Sequence, residues 1–150
     1  MDDDGAICLA SFLSVNKSIT SLDIGFNDIT DRGLTAVANS LYHNSTLHTL
    51  YLPANRFTAD GMIQLEKALI ANKTLKSLTL SANRSQVNGA KSLANVIRLN
   101  SSLEVLHIGG NELFAEGVSI IADALQVFVR ILTRKCHNLT RIFTPGMNWV

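Results

Sequence analysis

The stretch Leu47-His-Thr-Leu50-Tyr-Leu52-Pro-Ala-Asn55 decides the fold, because close copies of it recur along the chain every 28 residues. Its pattern, L-x-x-L-x-L-x-x-N, opens four segments, the first of which carries isoleucine in place of the first leucine. A glycine follows six residues after each asparagine. The segments open at Ile19, Leu47, Leu75 and Leu103; the asparagines are Asn27, Asn55, Asn83 and Asn111; the glycines are Gly33, Gly61, Gly89 and Gly117. A fixed period of this length predicts a solenoid, in which each unit buries its apolar face only against its neighbours.

Each unit divides into a strand half and a helix half. Counting the first residue of a unit as position 0, positions 3 and 5 are apolar and alternate with other residues, as Leu50 and Leu52 show. This alternation predicts a short strand with one buried face, and stacked units would place the strands in a parallel sheet. Apolar residues spaced by three and four follow the glycine, as in Met62, Leu65 and Leu69, and predict a helix with one buried stripe.

The pattern divides the chain into three parts. Residues 1–18 hold a predicted helix without a strand of its own, which is either a cap on the open end or part of a unit in a longer array. Residues 19–126 hold the repeats. The four units are 19–46, 47–74, 75–102 and 103–126. Residues 127–150 depart from the pattern, and we predict that they cap the last unit; the alternative is an unrelated sequence that folds poorly.

Composition excludes several classes of function. The 13 basic and 12 acidic side chains give a net charge of +1, so no electrostatic argument favours nucleic acid or an anionic membrane as a partner. The sequence begins Met-Asp-Asp-Asp, without the basic and apolar regions of a signal peptide, and shows no apolar run long enough to cross a bilayer. The cysteines, Cys8 and Cys136, lie far apart and do not suggest a disulfide framework. A cytoplasmic, reducing setting is therefore expected.

Four of the Asn-x-Ser/Thr sequons recur with the repeat. They begin at Asn16, Asn44, Asn72 and Asn100. Each falls where a helix is predicted to end, and asparagine tolerates the left-handed backbone that such an exit often needs. This position favours a structural role for the four asparagines over glycosylation.

The repeats resemble the ribonuclease-inhibitor type of leucine-rich repeat, through the L-x-x-L-x-L-x-x-N motif, the 28-residue unit and the alanine-rich helix that opens at glycine. The chain looks most like the repeat arrays of NOD-like receptors, and Ran GTPase-activating proteins share the architecture. The resemblance implies an α/β fold: a right-handed αβ solenoid, or horseshoe segment, with parallel strands on the concave side and helices on the convex side. It implies no particular partner, because one scaffold carries many functions.

Candidate contact residues lie where the repeat fixes the backbone and the side chain varies. Position 4 supplies the column Asp23, Tyr51, Thr79 and His107, and the loops that follow supply Phe26, Arg56 and Arg84. Aromatic side chains provide much of the energy of protein interfaces, and arginine can bind a partner carboxylate. The alternative for the charged residues is lateral pairing with Asp28 and Glu112 on a solvated rim, with little energetic effect. The column Asn27, Asn55, Asn83 and Asn111 is assigned a structural role, because an amide can satisfy backbone groups in a tight turn.

The sequence predicts a protein-interaction module that is not an enzyme. His107 and Asp23 share a column but lie three strands apart, about 14 Å, which is too far for direct coupling. No spacing of cysteine and histidine suggests a metal, and no cofactor is predicted. The predicted partner is a protein bound on the concave face. The alternatives are a regulator of a small GTPase, by resemblance to the Ran activators, or a fragment of a larger protein of the NOD-like receptor type.

Overall fold

A computed structural model of the protein describes the backbone of residues 1–135 and the side chains of residues 1–127. Helices and short strands alternate along this part of the chain. In order, the elements are α1 (Asp3–Val15), β1 (Ser21–Asp23), α2 (Asp31–Leu41), β2 (Thr49–Tyr51), α3 (Ala59–Ala71), β3 (Ser77–Thr79), α4 (Gln86–Leu99), β4 (Val105–His107) and α5 (Phe114–Lys135).

The four strands form one parallel sheet in chain order, β1-β2-β3-β4. Neighbouring strands pair in a register of one whole repeat, so that Leu50 lies between Leu22 and Leu78. Each helix packs against the next along the chain. The predicted fold class is confirmed: the chain is an αβ solenoid with one parallel sheet.

The core lies between the sheet and the helices and is filled by the predicted apolar positions. Leu50 and Leu52 of the second repeat are fully buried, as are Met62, Leu65 and Leu69 of the helix that follows. Burying a side chain of this size contributes about 1.5–3 kcal/mol. The periodic leucines therefore hold each unit to its neighbours, since no unit encloses a core alone.

Aspartates at the start of α1 and α2 join successive helices. The carboxylate of Asp31 accepts bonds from the amide and hydroxyl of Thr58, at 2.7 and 2.8 Å, and from the amide of Gly61 at 3.0 Å. Asp3 binds Thr30 and Gly33 in the same way. A Cβ at Gly61 would lie 2.6 Å from Oδ1 of Asp31, which explains the glycine at this position.

Asp3 predicts a dependence of stability on pH. Burial raises the pKa of its carboxyl, but hydrogen bonds from Thr30 and Gly33 and the charge of Arg32 outweigh this, so that the pKa lies below its ordinary value of 3.8. Because folding lowers the pKa, the stabilisation is complete above about pH 4 and is lost as pH falls through the folded value. We expect Asp3→Asn to unfold at lower urea concentration than the wild type near pH 7, and the difference to shrink toward about pH 3.

The matched control for this titration is Asp123→Asn, which changes an exposed carboxylate on α5. Its urea midpoint should stay close to that of the wild type at every pH. A gap between Asp3→Asn and the wild type that is constant from about pH 7 to pH 3 would contradict the role assigned to the carboxylate.

Three of the four repeated sequon asparagines, Asn16, Asn72 and Asn100, end helices, whereas α2 ends at Leu41, three residues before Asn44. The expected left-handed backbone is wrong at all four. Asn72 has φ −70° and ψ 135°, which is extended and not left-handed. Its Oδ1 accepts from the amides of Thr74 and Leu75 at 2.9 and 2.8 Å, so a side chain closes the turn that a left-handed residue would otherwise close. Its Nδ2 donates to Leu41 O at 2.9 Å and to Asn44 O at 3.2 Å. Asn44 and Asn72 are buried, which excludes a glycan on either in the folded chain.

The last described helix departs from the expected pattern in two ways. Helix α5 continues to Lys135, past residue 126 where the repeat pattern ends. Val118, predicted in the buried stripe, is 59% exposed, whereas its equivalents Met62 and Ala90 are buried by the helix that follows theirs. That prediction is wrong because no following helix in the described part of the chain covers Val118. Residues 136–150 lie outside the described residues, and the predicted cap stays a prediction.

Candidate protein-interaction surface

The outward side chains of β1 to β4 form one surface, which we call the strand face. The register places Asp23 beside Tyr51, Tyr51 beside Thr79, and Thr79 beside His107. Neighbouring members of this column are therefore about 4.8 Å apart along the sheet. Asp23, Tyr51 and His107 are exposed and Thr79 is half-buried. The sheet thus brings together the four predicted contact residues of the strands.

Tyr51 is the one aromatic side chain of this column and is 39% exposed. Its strand is hydrogen-bonded on both sides, to β1 and to β3, so its backbone is fixed. Asp23 is also held in place, because its Oδ1 accepts the amide of Gly25 at 2.9 Å. An aromatic side chain on a fixed backbone beside a fixed carboxylate is a suitable site for a protein contact, since little backbone entropy is lost on binding.

The loops that follow the strands share a left-handed residue at position 7. The φ angles are 53° at Phe26, 52° at Ala54, 57° at Ala82 and 70° at Gly110. Each turn directs the next residue, an asparagine, inward. The left-handed conformation costs a residue with a side chain about 1–2 kcal/mol. Hydrogen bonds to the following repeat offset that cost, for example from Phe26 N to Pro53 O at 2.8 Å.

Phe26 differs from the other residues of this row in size and exposure. Its side chain is 84% exposed, and its equivalents in the later repeats carry a methyl group or none. The fixed turn holds this large apolar group out in solvent. An exposed aromatic in a fixed position has the properties of an interface anchor.

Only two of the four charged residues at position 9 form an ion pair with each other. Arg56 Nε lies 2.9 Å from Asp28 Oδ1, as the lateral-pairing alternative expects. Arg84 and Glu112 do not pair; Glu112 is left-handed, with φ 55°, and its Oε2 accepts from Gln86 Nε2 at 3.3 Å. In the described part of the chain, Arg84 makes no ion pair.

Positions 7 to 9 of the repeats border an open depression beside the strand face, which we call the loop groove. It is lined by Asn27, Asp28, Ala54, Asn55, Arg56, Ala82, Asn83, Arg84, Gly110 and Glu112. The predicted contact residues Arg56 and Arg84 both lie on it. Six of the seven predicted contact residues therefore lie on the strand face or the loop groove. The seventh, Phe26, does not line the groove but directly precedes Asn27, which does.

The asparagines at position 8 lie beneath the groove. Asn83 donates to Leu52 O at 3.0 Å and to Leu80 O at 2.8 Å, and its Oδ1 accepts from Asn55 N at 3.0 Å. Asn55, Asn83 and Asn111 are buried. Their amide nitrogens donate to backbone carbonyls, and Asn111 Oδ1 accepts from Ser85 Oγ at 3.0 Å, which fits the structural role assigned to them.

Sequence reasoning missed the features that distinguish Arg84 from Arg56. Gln86 stands where Thr30 and Thr58 cap their helices, and it is left-handed, with φ 53°. Its amide side chain donates to the carboxylate of Glu112 at 3.3 Å. The exchange of threonine for glutamine at one repeat position was the available signal.

Two further kinds of feature are absent from the described residues: a cluster of metal ligands and a membrane-spanning helix. No three His, Cys, Asp or Glu side chains cluster there as metal ligands would. The helices of residues 1–135 fall short of the length and apolar content that crossing a bilayer requires. Cys8 is exposed and carries a free thiol, whereas Cys136 lies outside the described residues.

Comparisons with known proteins agree with this architecture. A family model described as Leucine Rich repeat matches residues 15–38 and 99–122. These two segments therefore match leucine-rich repeats. Among solved structures, leiomodin-1 actin-binding site 2 is similar over 90% of this chain and 78% of that chain, with a TM-score of 0.70 and 19% identity. At that identity the likeness shows the fold alone. Among curated proteins, none matches the sequence.

Proposed function

We propose that the protein is a non-enzymatic interaction module of the ribonuclease-inhibitor type, acting in the cytoplasm and binding a protein partner on its concave strand face. The observation that carries the proposal is the column of Asp23, Tyr51, Thr79 and His107. Strand pairing fixes the backbone of these residues, and their side chains differ from repeat to repeat. A constant frame with variable outward side chains is the way in which repeat proteins present binding surfaces.

The energetic centre of the proposed surface is Tyr51, with Phe26 at its margin. Aromatic residues are enriched among the few side chains that dominate binding energy. Both occupy fixed backbone, Tyr51 in a paired strand and Phe26 in a hydrogen-bonded turn. Binding would therefore order few groups that are not already ordered, which favours affinity.

Two partner classes are tested first, one suggested by a similar solved structure and the other by resemblance. The solved relative is named as an actin-binding site, so purified actin is a reasonable first probe. Regulation of a small GTPase is the alternative function, and it is supported by fold resemblance alone. If the protein does not regulate small GTPases, a panel of GTP-loaded GTPases should hydrolyse GTP no faster with the protein than without it.

A capture experiment tests the strand face. The immobilised wild type would be compared with Tyr51→Ala/Thr79→Arg, which removes the aromatic and places charge on the same column. We expect this variant to retain at least tenfold less of the specifically bound protein, since two central contacts typically contribute about 1–2 kcal/mol each. The readout is quantitative mass spectrometry of cytosolic extract, with purified actin as a separate arm.

Lys67→Glu/Lys91→Glu is the matched control, because both lysines are exposed on the helices α3 and α4. It should capture as the wild type does, and thermal unfolding should show that both variants fold. Equal capture by the wild type and Tyr51→Ala/Thr79→Arg would show that the strand face is not the binding surface.

A further inference from the structure

We propose that the strand face binds an arginine side chain of the partner at its first two strands, where Asp23 and Tyr51 lie side by side. The guanidinium pairs with the carboxylate of Asp23 and packs against the ring of Tyr51. The inference rests on the proposed function and specifies the chemistry that the partner must present to this surface.

The charge of the strand face favours a cation. The outward side chains at positions 2 and 4 of the four strands include one carboxylate, that of Asp23, and no lysine or arginine. Asp23 is exposed and forms no ion pair with any residue in the described part of the chain. A partner that covered this carboxylate with an apolar or acidic side chain would leave the charge uncompensated, which is costly. A basic side chain removes that cost.

The carboxylate and the ring lie close enough to bind one cation together. Strands β1 and β2 pair in register at Asp23 and Tyr51, so the two Cα atoms are about 4.8 Å apart and both side chains leave the same face of the sheet. The amide of Gly25 donates to Asp23 Oδ1 at 2.9 Å, which holds the carboxylate in place. Because an aromatic ring attracts a cation from up to about 6 Å, a cation bound to Asp23 is within reach of the exposed ring of Tyr51.

Arginine suits this site better than lysine. Ser21 and Thr49 are paired at position 2 of the same two strands, so their hydroxyls lie on the same face beside Asp23 and Tyr51. Hydroxyl oxygens accept hydrogen bonds, and a guanidinium has five N–H donors to share between them and the carboxylate. A guanidinium is also planar and less strongly hydrated than an ammonium group, so it stacks on an aromatic ring more readily.

Peptide selection followed by a double-mutant cycle tests the contact. The probe is an mRNA-displayed library of random dodecapeptides, selected on the immobilised wild type and sorted for peptides that Tyr51→Ala no longer retains. We expect these peptides to share an arginine. Replacing this arginine in the synthetic peptide by citrulline, which keeps the shape and removes the charge, should weaken binding about threefold to tenfold, and lysine should weaken it about threefold.

Asp23→Asn should weaken binding by a factor similar to that of citrulline, and the two changes together should weaken it no further, because both remove the same contact. Asp60→Asn is the matched control: it removes the charge of an exposed carboxylate on α3, and the full effect of citrulline should remain. Circular dichroism should show that Tyr51→Ala and Asp23→Asn both fold.

Independent effects of Asp23→Asn and citrulline would overturn the inference. So would a lysine peptide that binds as tightly as the arginine peptide, Tyr51-dependent peptides that lack a basic residue, or a library that yields no Tyr51-dependent peptide. Capture from extract judges the proposed function separately. Loss of capture by Tyr51→Ala/Thr79→Arg, together with full capture by Asp23→Asn, would leave the strand-face function in place and exclude the arginine contact.

Discussion

Replacing Asn83 by alanine is expected to lower the free energy of unfolding by about 3–5 kcal/mol. Its amide donates to Leu52 O and Leu80 O, and its carbonyl oxygen accepts from Asn55 N, all within 3.0 Å. Asn83 is buried, so water cannot replace these bonds without opening the loop. The variant leaves Asn55 N without a partner, which costs about 1–3 kcal/mol. It also loses the bonds donated to Leu52 O and Leu80 O, at about 0.5–1.5 kcal/mol each, although these carbonyls keep bonds from the amides of Asn55 and Asn111. Urea unfolding followed by circular dichroism measures the loss.

Two companion variants test the cause of this loss. Asn83→Asp keeps the acceptor but removes every bond that the amide nitrogen donates and buries a charge, so it should be destabilised at least as much as Asn83→Ala. Asn39→Ala changes an exposed asparagine on α2 and should shift stability by no more than about 0.5 kcal/mol. A loss below about 1 kcal/mol for Asn83→Ala would show that the column of asparagines is not what holds the loops.

Replacing Phe57 by alanine should also cost about 3–5 kcal/mol, for a different reason. Phe57 is the largest fully buried side chain in the described part of the chain. Its position in the repeat is held by Ile29 in the unit before and by Ser85 in the unit after. Truncation removes apolar burial and leaves a cavity that the regular repeat backbone cannot close.

Phe26→Ala is the control, because it makes the same chemical change at a different position of the preceding repeat, where the side chain is 84% exposed. Its unfolding midpoint should stay close to that of the wild type, since exposure leaves little burial to lose. Similar losses for Phe26→Ala and Phe57→Ala would mean that burial does not determine the difference between these two positions.

Much of the fold follows from local pattern. Leu50 and Leu52 alternate along a strand, and Met62, Leu65 and Leu69 follow a helix, because the two periodicities place them on one buried side. The period then sets the register, since pairing shifted by anything other than whole repeats would misalign these leucines. Strand order and parallel pairing were therefore predictable.

The two wrong predictions concern residues whose conformation or burial depends on a neighbouring repeat. Asn72 tolerates a left-handed turn, yet its amide ends the helix by accepting two backbone bonds and binding the previous repeat. Val118 has the correct spacing for burial, but burial at that position is provided by the next helix. Neither outcome can be read from the residues of one repeat alone.

By itself, the sequence determined the repeat, the sheet and the column of Asp23, Tyr51, Thr79 and His107, because a 28-residue period repeats the same backbone geometry in every unit. Only the tertiary structure decided which charged side chains of the surface form ion pairs with their neighbours. Arg56 and Arg84 occupy the same repeat position, but one pairs with Asp28 and the other does not. Pairing between exposed side chains depends on the backbone angles and the neighbours of the adjoining unit, and the period does not specify these.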